Sequence, residues 1–286
     1  MKQVLNLFKL RIGVAIAVAA AAGLAVEGGA APGPLQAAVL VLAVLVASAA
    51  AGAFNQYVER DLDARMGRTR NRPFVTGALR HGPAWLWLIG AMLAASVLAA
   101  AIAANALAAL YVFLGAFTYG VVYTMWLKRR TWWNIVVGGL AGSFAVLAGA
   151  AAVSPTPGPE ALALAVVLFL WTPPHFWSLA IAYREDYAAA KVPMLPVVVG
   201  DARAARAIFA SAALLVAASL VPAAFGLGWI YLACAAAGGC YFLLRCRALV
   251  RRQGRDTARA AFLASLAQLV RMRGAQNDIN NVGELR

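Results

Sequence analysis

The chain has 286 residues, 63% hydrophobic and only 13% charged, with 25 Lys and Arg against 11 Asp and Glu and a formal net charge of +14. That balance excludes an ordinary soluble domain. Uncharged runs of about twenty residues, the length that crosses about 30 Å of hydrocarbon as a helix, recur along it and place it in a bilayer.

The N-terminus, MKQVLNLFKLR, leads into a first apolar segment, Ile12 to Val26. A secretory signal cleaved around Ala30 and Ala31 is the alternative, but many spans follow and there is no soluble domain to export, so an uncleaved helix is expected. Leu35 to Phe54 is the second segment, and it runs into the charged stretch FNQYVERDLDARMGRTRNRP, Phe54 to Pro73. No charge falls between Gly82 and Leu127, a run too long for one helix. A tight turn is therefore predicted near Asn105, between segments Pro83 to Ala104 and Ala106 to Leu127.

Trp132 to Val153, Ala161 to Tyr183, Ala207 to Phe225 and Trp229 to Leu244 follow. A ninth stretch, Ala260 to Val270, is shorter than a span; its helix is placed at about 257–273, ahead of a polar tail at 274–286. The expectation is an all-α polytopic membrane protein, one bundle of about nine transmembrane helices around a central cavity. Cys234, Cys240 and Cys246 form no close pair and read as small apolar packing residues.

In a soluble protein this positive charge would point to nucleic acid; its distribution says otherwise. All basic residues except Arg271, Arg273 and Arg286 lie in the N-terminal tail or after segments two, four, six and eight. The alternate loops hold Glu27, Glu160 and no other charge. This is the positive-inside pattern, so the N-terminus and the even-numbered loops are expected on the cytoplasmic side. The three C-terminal arginines fit that pattern only if the last helix does not cross.

The stretch after segment two and the cluster YREDYAAAKVPMLP, Tyr183 to Pro196, after segment six therefore emerge on one side. Asn55, Glu59 and Asp63 are spaced by four, which keeps them within roughly 80° of one helix face, while Asp61 points elsewhere. Three oxygen-bearing side chains at the water boundary suit a hard cation, Mg²⁺. Arg60, Arg65, Arg68, Arg70 and Arg72 supply forked donors for phosphate oxygens, and Lys128, Arg129 and Arg130 add charge on the same side. The alternative is that these are ordinary topology determinants with exposed ion pairs; two acidic clusters on one side favour function.

His175, in FLWTPPHFWSLAIAYREDY, lies about 12 Å from the cytoplasmic end of segment six. An ionisable group at that depth usually faces a cavity; a core histidine bonded to its neighbours is the alternative. Pro173 and Pro174 are expected to open or bend the helix, and His175 shares a face with Asp186 if the helix continues. His81 reads as a solvated loop residue, and Trp132, Trp133, Trp171 and Trp177 as cavity or interfacial aromatics.

The pattern from Asn55 through Pro73, N-x-x-x-(D/E)-x-x-x-D followed by R-x-x-x-R-P, resembles the first acidic motif of the UbiA superfamily of intramembrane prenyltransferases. WTPPHFWSLAIAYREDY with the downstream VPMLPVVVG, and YTMWLKRRTWWNIVVGGLAG from Tyr123, are similar to the protoheme IX farnesyltransferase (heme O synthase) branch. The likeness runs from about Phe8 to Asp256. It implies a single prenyltransferase domain over 1–286 that uses Mg²⁺ to transfer farnesyl from farnesyl diphosphate to a vinyl group of heme B, giving heme O. It further implies a site in the bacterial inner membrane in contact with lipid, and a heme A synthase or oxidase-assembly protein as possible partner. In family terms Asn55, Glu59, Asp63 and Asp186 hold the metal; Arg68, Arg72, Lys128 and Arg129 contact the diphosphate; His175 is the candidate on the heme side.

There are departures from the pattern. Gln56 stands where aromatic prenyltransferases commonly have Asp, which favours the heme branch; Lys191 stands where they have a further carboxylate; and the Pro-Pro pair expected near Ala145 and Val146 is absent. Three rival functions remain: a prenyltransferase of this fold acting on a quinone precursor or chlorophyllide, a transporter with Asp186 and His175 in an ion relay, and a purely structural membrane subunit, which leaves the first charged stretch unexplained.

Overall fold

The computed structural model describes residues 2–30 and 32–283. Its elements are helices: α1 (Lys2–Leu7), α2 (Leu10–Val26), α3 (Pro34–Val58), α4 (Arg60–Asp63), α5 (Pro73–Thr76), α6 (Ala84–Ala103) and α7 (Ala106–Phe117), which continues as a π-helix over Thr118–Leu127. Then come α8 (Asn134–Gly138), α9 (Leu140–Ala151), α10 (Pro159–Ala182), α11 (Arg184–Ala189), α12 (Leu195–Val199), α13 (Asp201–Leu220), α14 (Gly228–Arg251) and α15 (Arg255–Gly283). Among the described residues 7 helices are long and apolar enough to cross a membrane, and α2 is a shorter apolar helix. The chain is a multi-pass membrane protein, and no strand occurs among the described residues.

The turn expected at Asn105 is there. Its side chain accepts from Ala108 N at 2.8 Å, capping α7, and donates to Ala151 O at 2.6 Å on the facing helix. Helix α10 runs unbroken through Pro173 and Pro174, contrary to the expected opening. Thr172 Oγ1 donates to Leu168 O at 3.1 Å, and Ser178 Oγ to Pro174 O at 2.6 Å, so side chains serve one carbonyl before the prolines and that of Pro174 itself. The fifth span breaks at Gly139, between α8 and α9, without a proline pair. α15 is 29 residues long and continues through 274–283, where a tail was expected; after Asp256 the sequence holds no proline to end it. Ala31 and Arg286 lie outside the described residues, as do the side chains of Arg271 and Arg273.

Helices adjacent in sequence pack side by side, from α2 with α3 through α6, α7, α9, α10 and α13 to α14 and α15. α9 returns onto α2, and α15 onto α10. The joints rely on small residues: a Cβ at Gly23 would strike the Val146 carbonyl, and one at Gly149 the Ala20 carbonyl, so α2 and α9 touch backbone to backbone. Large side chains such as Trp87 and Ile102 point outward, 81% and 75% exposed, as lipid contact requires. At the other end from the basic loops, Gly158 N donates to both Glu27 oxygens at 2.9 and 3.0 Å, so the Glu27 carboxylate caps α10.

Candidate active site

The first acidic stretch keeps its helical register across the end of α3. Glu59 has left helical geometry at φ −92°, yet Glu59 N donates to Asn55 O at 3.0 Å and Asp63 N to Glu59 O at 2.8 Å. Asn55, Glu59 and Asp63 therefore share the inward face, at 2%, 0% and 1% exposure. Asp61 is turned out of that face and exposed.

Each of the four meets a cation brought from elsewhere. Lys9 Nζ donates to Asn55 Oδ1 at 2.7 Å. Lys128 Nζ straddles the Glu59 carboxylate, 2.6 Å from Oε2 and 2.6 Å from Oε1. Arg72 Nη1 lies 2.6 Å from Asp63 Oδ2. Arg129 makes a forked pair with the exposed Asp61 at 2.9 and 3.2 Å, which sets it on the rim, apart from the buried set.

The second cluster comes to the same place. Helix α10 stops at Tyr183, and α11 carries Asp186 onto the loop that follows Asp63: Arg68 N donates to Asp186 Oδ2 at 3.3 Å. A Cβ at Gly67 would sit 3.4 Å from Asp186 Oδ1, so the loop backbone passes close to the carboxylate. The Arg68 guanidinium, 5.7 Å from the Tyr183 ring centre, is free of carboxylate partners among the described residues. Between His175 and Asp186 the chain leaves helical geometry at Tyr183, φ −126° and ψ 31°, although Tyr183 N still donates to Leu179 O and Tyr187 N to Tyr183 O. His175 lies between the rings of Trp171 and Phe262, at 4.0 and 4.3 Å, with Nδ1 2.7 Å from Ser265 Oγ; it ties α10 to α15. His81 stacks on Tyr57 at 4.0 Å.

Charge is tightly compensated here. Burial pushes the Asp63 carboxyl above the usual carboxylate range even with Arg72 in contact. The hydrogen bond from Arg129 holds Asp61 below it. Burial, aided by Arg72, brings the Lys9 amine down to about 7. No ready-made cluster of three His, Cys, Asp or Glu side chains occurs among the described residues, and Glu59 and Asp63 are each turned to a basic partner. The donor chemistry still suits a hard divalent ion: Asn55, Glu59 and Asp63 offer oxygen ligands only.

Sequence reasoning missed Lys9, Tyr119, Tyr123 and Thr124. Asn55 Nδ2 donates to Thr124 Oγ1 at 3.0 Å, and Lys9 Nζ donates to Tyr119 Oη at 3.1 Å. The π-helix makes this possible. At the roughly 100° per residue of an α-helix, Tyr119 and Lys128 would stand on opposite sides; in a wider i→i+5 helix, at about 80° per residue, they come within about 20° of each other. Lys128 N bonds Tyr123 O at 2.9 Å, closing the wide ladder. Nearby, Phe54 and Gly120 help line a half-open apolar groove of about 220 Å³ between α3, α6, α7 and the π-helix.

A helical bundle that gathers buried carboxylates and forked cations at one end, beside apolar space, has the parts of an enzyme for a lipid carrying an anionic head. The chain belongs to the UbiA prenyltransferase family, whose model matches residues 16–269. It is 59% identical over 270 residues to protoheme IX farnesyltransferase 2 of Paramagnetospirillum magneticum, covering 94% of both chains. It is 46% identical to protoheme IX farnesyltransferase 1 of the same organism, over 94% of this chain and 95% of that one. Among solved structures, a UbiA homolog from Archaeoglobus fulgidus bound to DMAPP and Mg²⁺ superposes with a TM-score of 0.74 at 18% identity, covering 94% of this chain and 99% of that one. A digeranylgeranylglyceryl phosphate synthase structure reaches 0.79 at 15% identity, covering 96% of both. At such identities the two structures establish the shared fold.

Proposed function

We propose that this prenyltransferase moves a farnesyl group from farnesyl diphosphate to a vinyl group of protoheme IX, giving heme O. The observation that carries the reading is the buried row Asn55, Glu59 and Asp63, with Asp186 brought to the loop just beyond it and cations from three elements around it. Those four residues would hold Mg²⁺, which when bound supplies Lewis-acid neutralisation of the diphosphate oxygens.

Arg68, Arg72 and Lys128 meet the negative charge that grows on the leaving diphosphate as the allylic C–O bond breaks, so they favour the transition state over the bound substrate. Arg129, at the rim, acts on the diphosphate only at longer range. The vinyl carbon supplies the electron pair for the new C–C bond. Water then captures the resulting cation, leaving a hydroxyethyl carbon and releasing one proton. The apolar groove beside Phe54 offers space for hydrocarbon next to the diphosphate end, where lipid in place of bulk water would surround the prenyl chain. On the heme side His175, its Nδ1 engaged by Ser265, offers Nε2. We place the site at the cytoplasmic face of a bacterial inner membrane, with lipid around it and a heme A synthase or oxidase-assembly protein as a possible recipient of the product.

Purified protein incubated with heme B, Mg²⁺ and prenyl diphosphates of graded length is expected to yield a heme heavier by a farnesyl and a hydroxyl group. Glu59→Gln and Asp63→Asn are each expected to lower that product by about 10² or more. Normal product from either variant would contradict the assignment. Prenylation of a quinone precursor in place of heme would select the rival substrate.

A further inference from the structure

The residue after Asn55 has its own task. Gln56 is 2% exposed and lies on α3 beside the site, yet its amide turns away from the carboxylates. Gln56 Nε2 donates to Asn6 O at 2.8 Å and Leu7 O at 3.0 Å, the last carbonyls of α1, where Asn6 O receives only one other, longer bond, from Lys9 N at 3.4 Å. Immediately beyond them the chain reverses at Lys9 in the left-handed region, φ 47° and ψ 42°. A lysine there costs on the order of 1 to 2 kcal/mol relative to glycine, so a side chain at that corner needs a reason.

Its placement supplies one. A Cβ at Gly52 would lie 3.5 Å from both Cβ and Cδ of Lys9, so the bare glycine surface is where the lysine stem rests. Gly52, Asn55 and Gln56 are three and four residues apart, hence on one face of α3. Glycine makes room for the stem, Asn55 receives the amine, and glutamine anchors the turn. The Lys9 and Lys128 amines each also lie 5.7 Å from a ring centre of a stacked pair, Tyr119 and Tyr123 respectively. The two lysines thus flank the row of oxygen ligands, one from near the N-terminus and one from near the middle of the chain.

Building on the prenyltransferase reading, we propose that Lys9 is a further diphosphate-binding residue and that Gln56 is the positioning residue that presents it, by fastening the end of α1. The ammonium is held by one neutral amide and one phenol, weaker partners than a phosphate oxygen, and its stem is flexible, so it can be handed to the diphosphate when that arrives. Gln56 itself need touch neither metal nor substrate.

The test is calorimetric titration of the purified full chain in detergent with inorganic diphosphate in Mg²⁺, alongside steady-state kinetics. Lys9→Met should weaken diphosphate binding by about tenfold, and Lys9→Arg should recover most of it. Gln56→Ala should weaken it similarly in the wild-type background and leave it unchanged in the Lys9→Met background. The KM for farnesyl diphosphate should rise with these losses while the KM for heme B stays constant. Gln56→Glu, isosteric but unable to donate, should behave as Gln56→Ala and guards against a packing defect. A Lys9→Met protein that binds diphosphate as tightly as wild type overturns the inference alone, as does a Gln56→Ala loss of equal size in both backgrounds. A wild-type chain that binds no diphosphate in Mg²⁺ overturns the inference together with the reading of the site beneath it.

Discussion

Asp61 and Asp63 are two residues apart and differ in almost everything that matters. Asp63 is buried against Arg72, whereas Asp61 has 56% of its side chain exposed against Arg129. An exposed pair is worth about 0 to 1 kcal/mol, so Asp61→Asn should shift thermal stability by less than that and leave heme O formation within about twofold of wild type. Asp63→Asn, by contrast, leaves the partly buried Arg72 charge unpaired and removes a proposed metal ligand. Measuring both variants in one assay separates the inward face from the outward one; comparable losses would refute the division. This division was legible in the sequence, because a spacing of four keeps Asn55, Glu59 and Asp63 together and excludes Asp61. The cation that meets each oxygen was not legible. Lys9 joins Asn55 across 46 residues and Lys128 joins Glu59 across 69, and helical periodicity carries no information over such separations.

At the scale of elements, the π-helix is the feature that periodicity misread. Thr118–Leu127 looks like the end of an ordinary span, and its boundary was placed correctly at Leu127, but its residues do not advance at the α-helical pitch. Tyr119, Thr124 and Lys128 reach one side only because each turn holds an extra fraction of a residue. Deleting Val121, a lipid-exposed position, should let the helix relax to α geometry and swing Lys128 away from Glu59. The expected result is a membrane-inserted protein whose heme O output falls by about 10² or more, as for loss of a preorganised charge. Retained activity would show that the wide turn is incidental. Pro173 and Pro174, expected to open or bend the helix, do not open α10, and the chain leaves helical geometry at Tyr183, where no proline or glycine announces it.

Across the whole molecule, composition alone fixed the class: too few charges and too many long apolar runs for anything but a membrane bundle. The sidedness of those charges also fixed which ends of the helices meet. Basic residues gather after α3, after the π-helix, after α10 and after α14, and the structure brings Asp186 from the third of these regions onto the loop of the first. The opposite ends carry Glu27, spent on capping α10. If the basic side is cytoplasmic, the two faces must differ in access to an impermeant reagent. In a chain with Cys234, Cys240 and Cys246 replaced by alanine, a cysteine introduced at Gly28 should be labelled by a membrane-impermeant maleimide in intact spheroplasts. One introduced at Arg65 should be labelled only after permeabilisation. The reverse pattern would put the diphosphate site on the outer face, where a cytoplasmic supply of prenyl diphosphate could not reach it, and labelling of both from one side would break the alternation of spans on which the convergence of Asp63 and Asp186 depends.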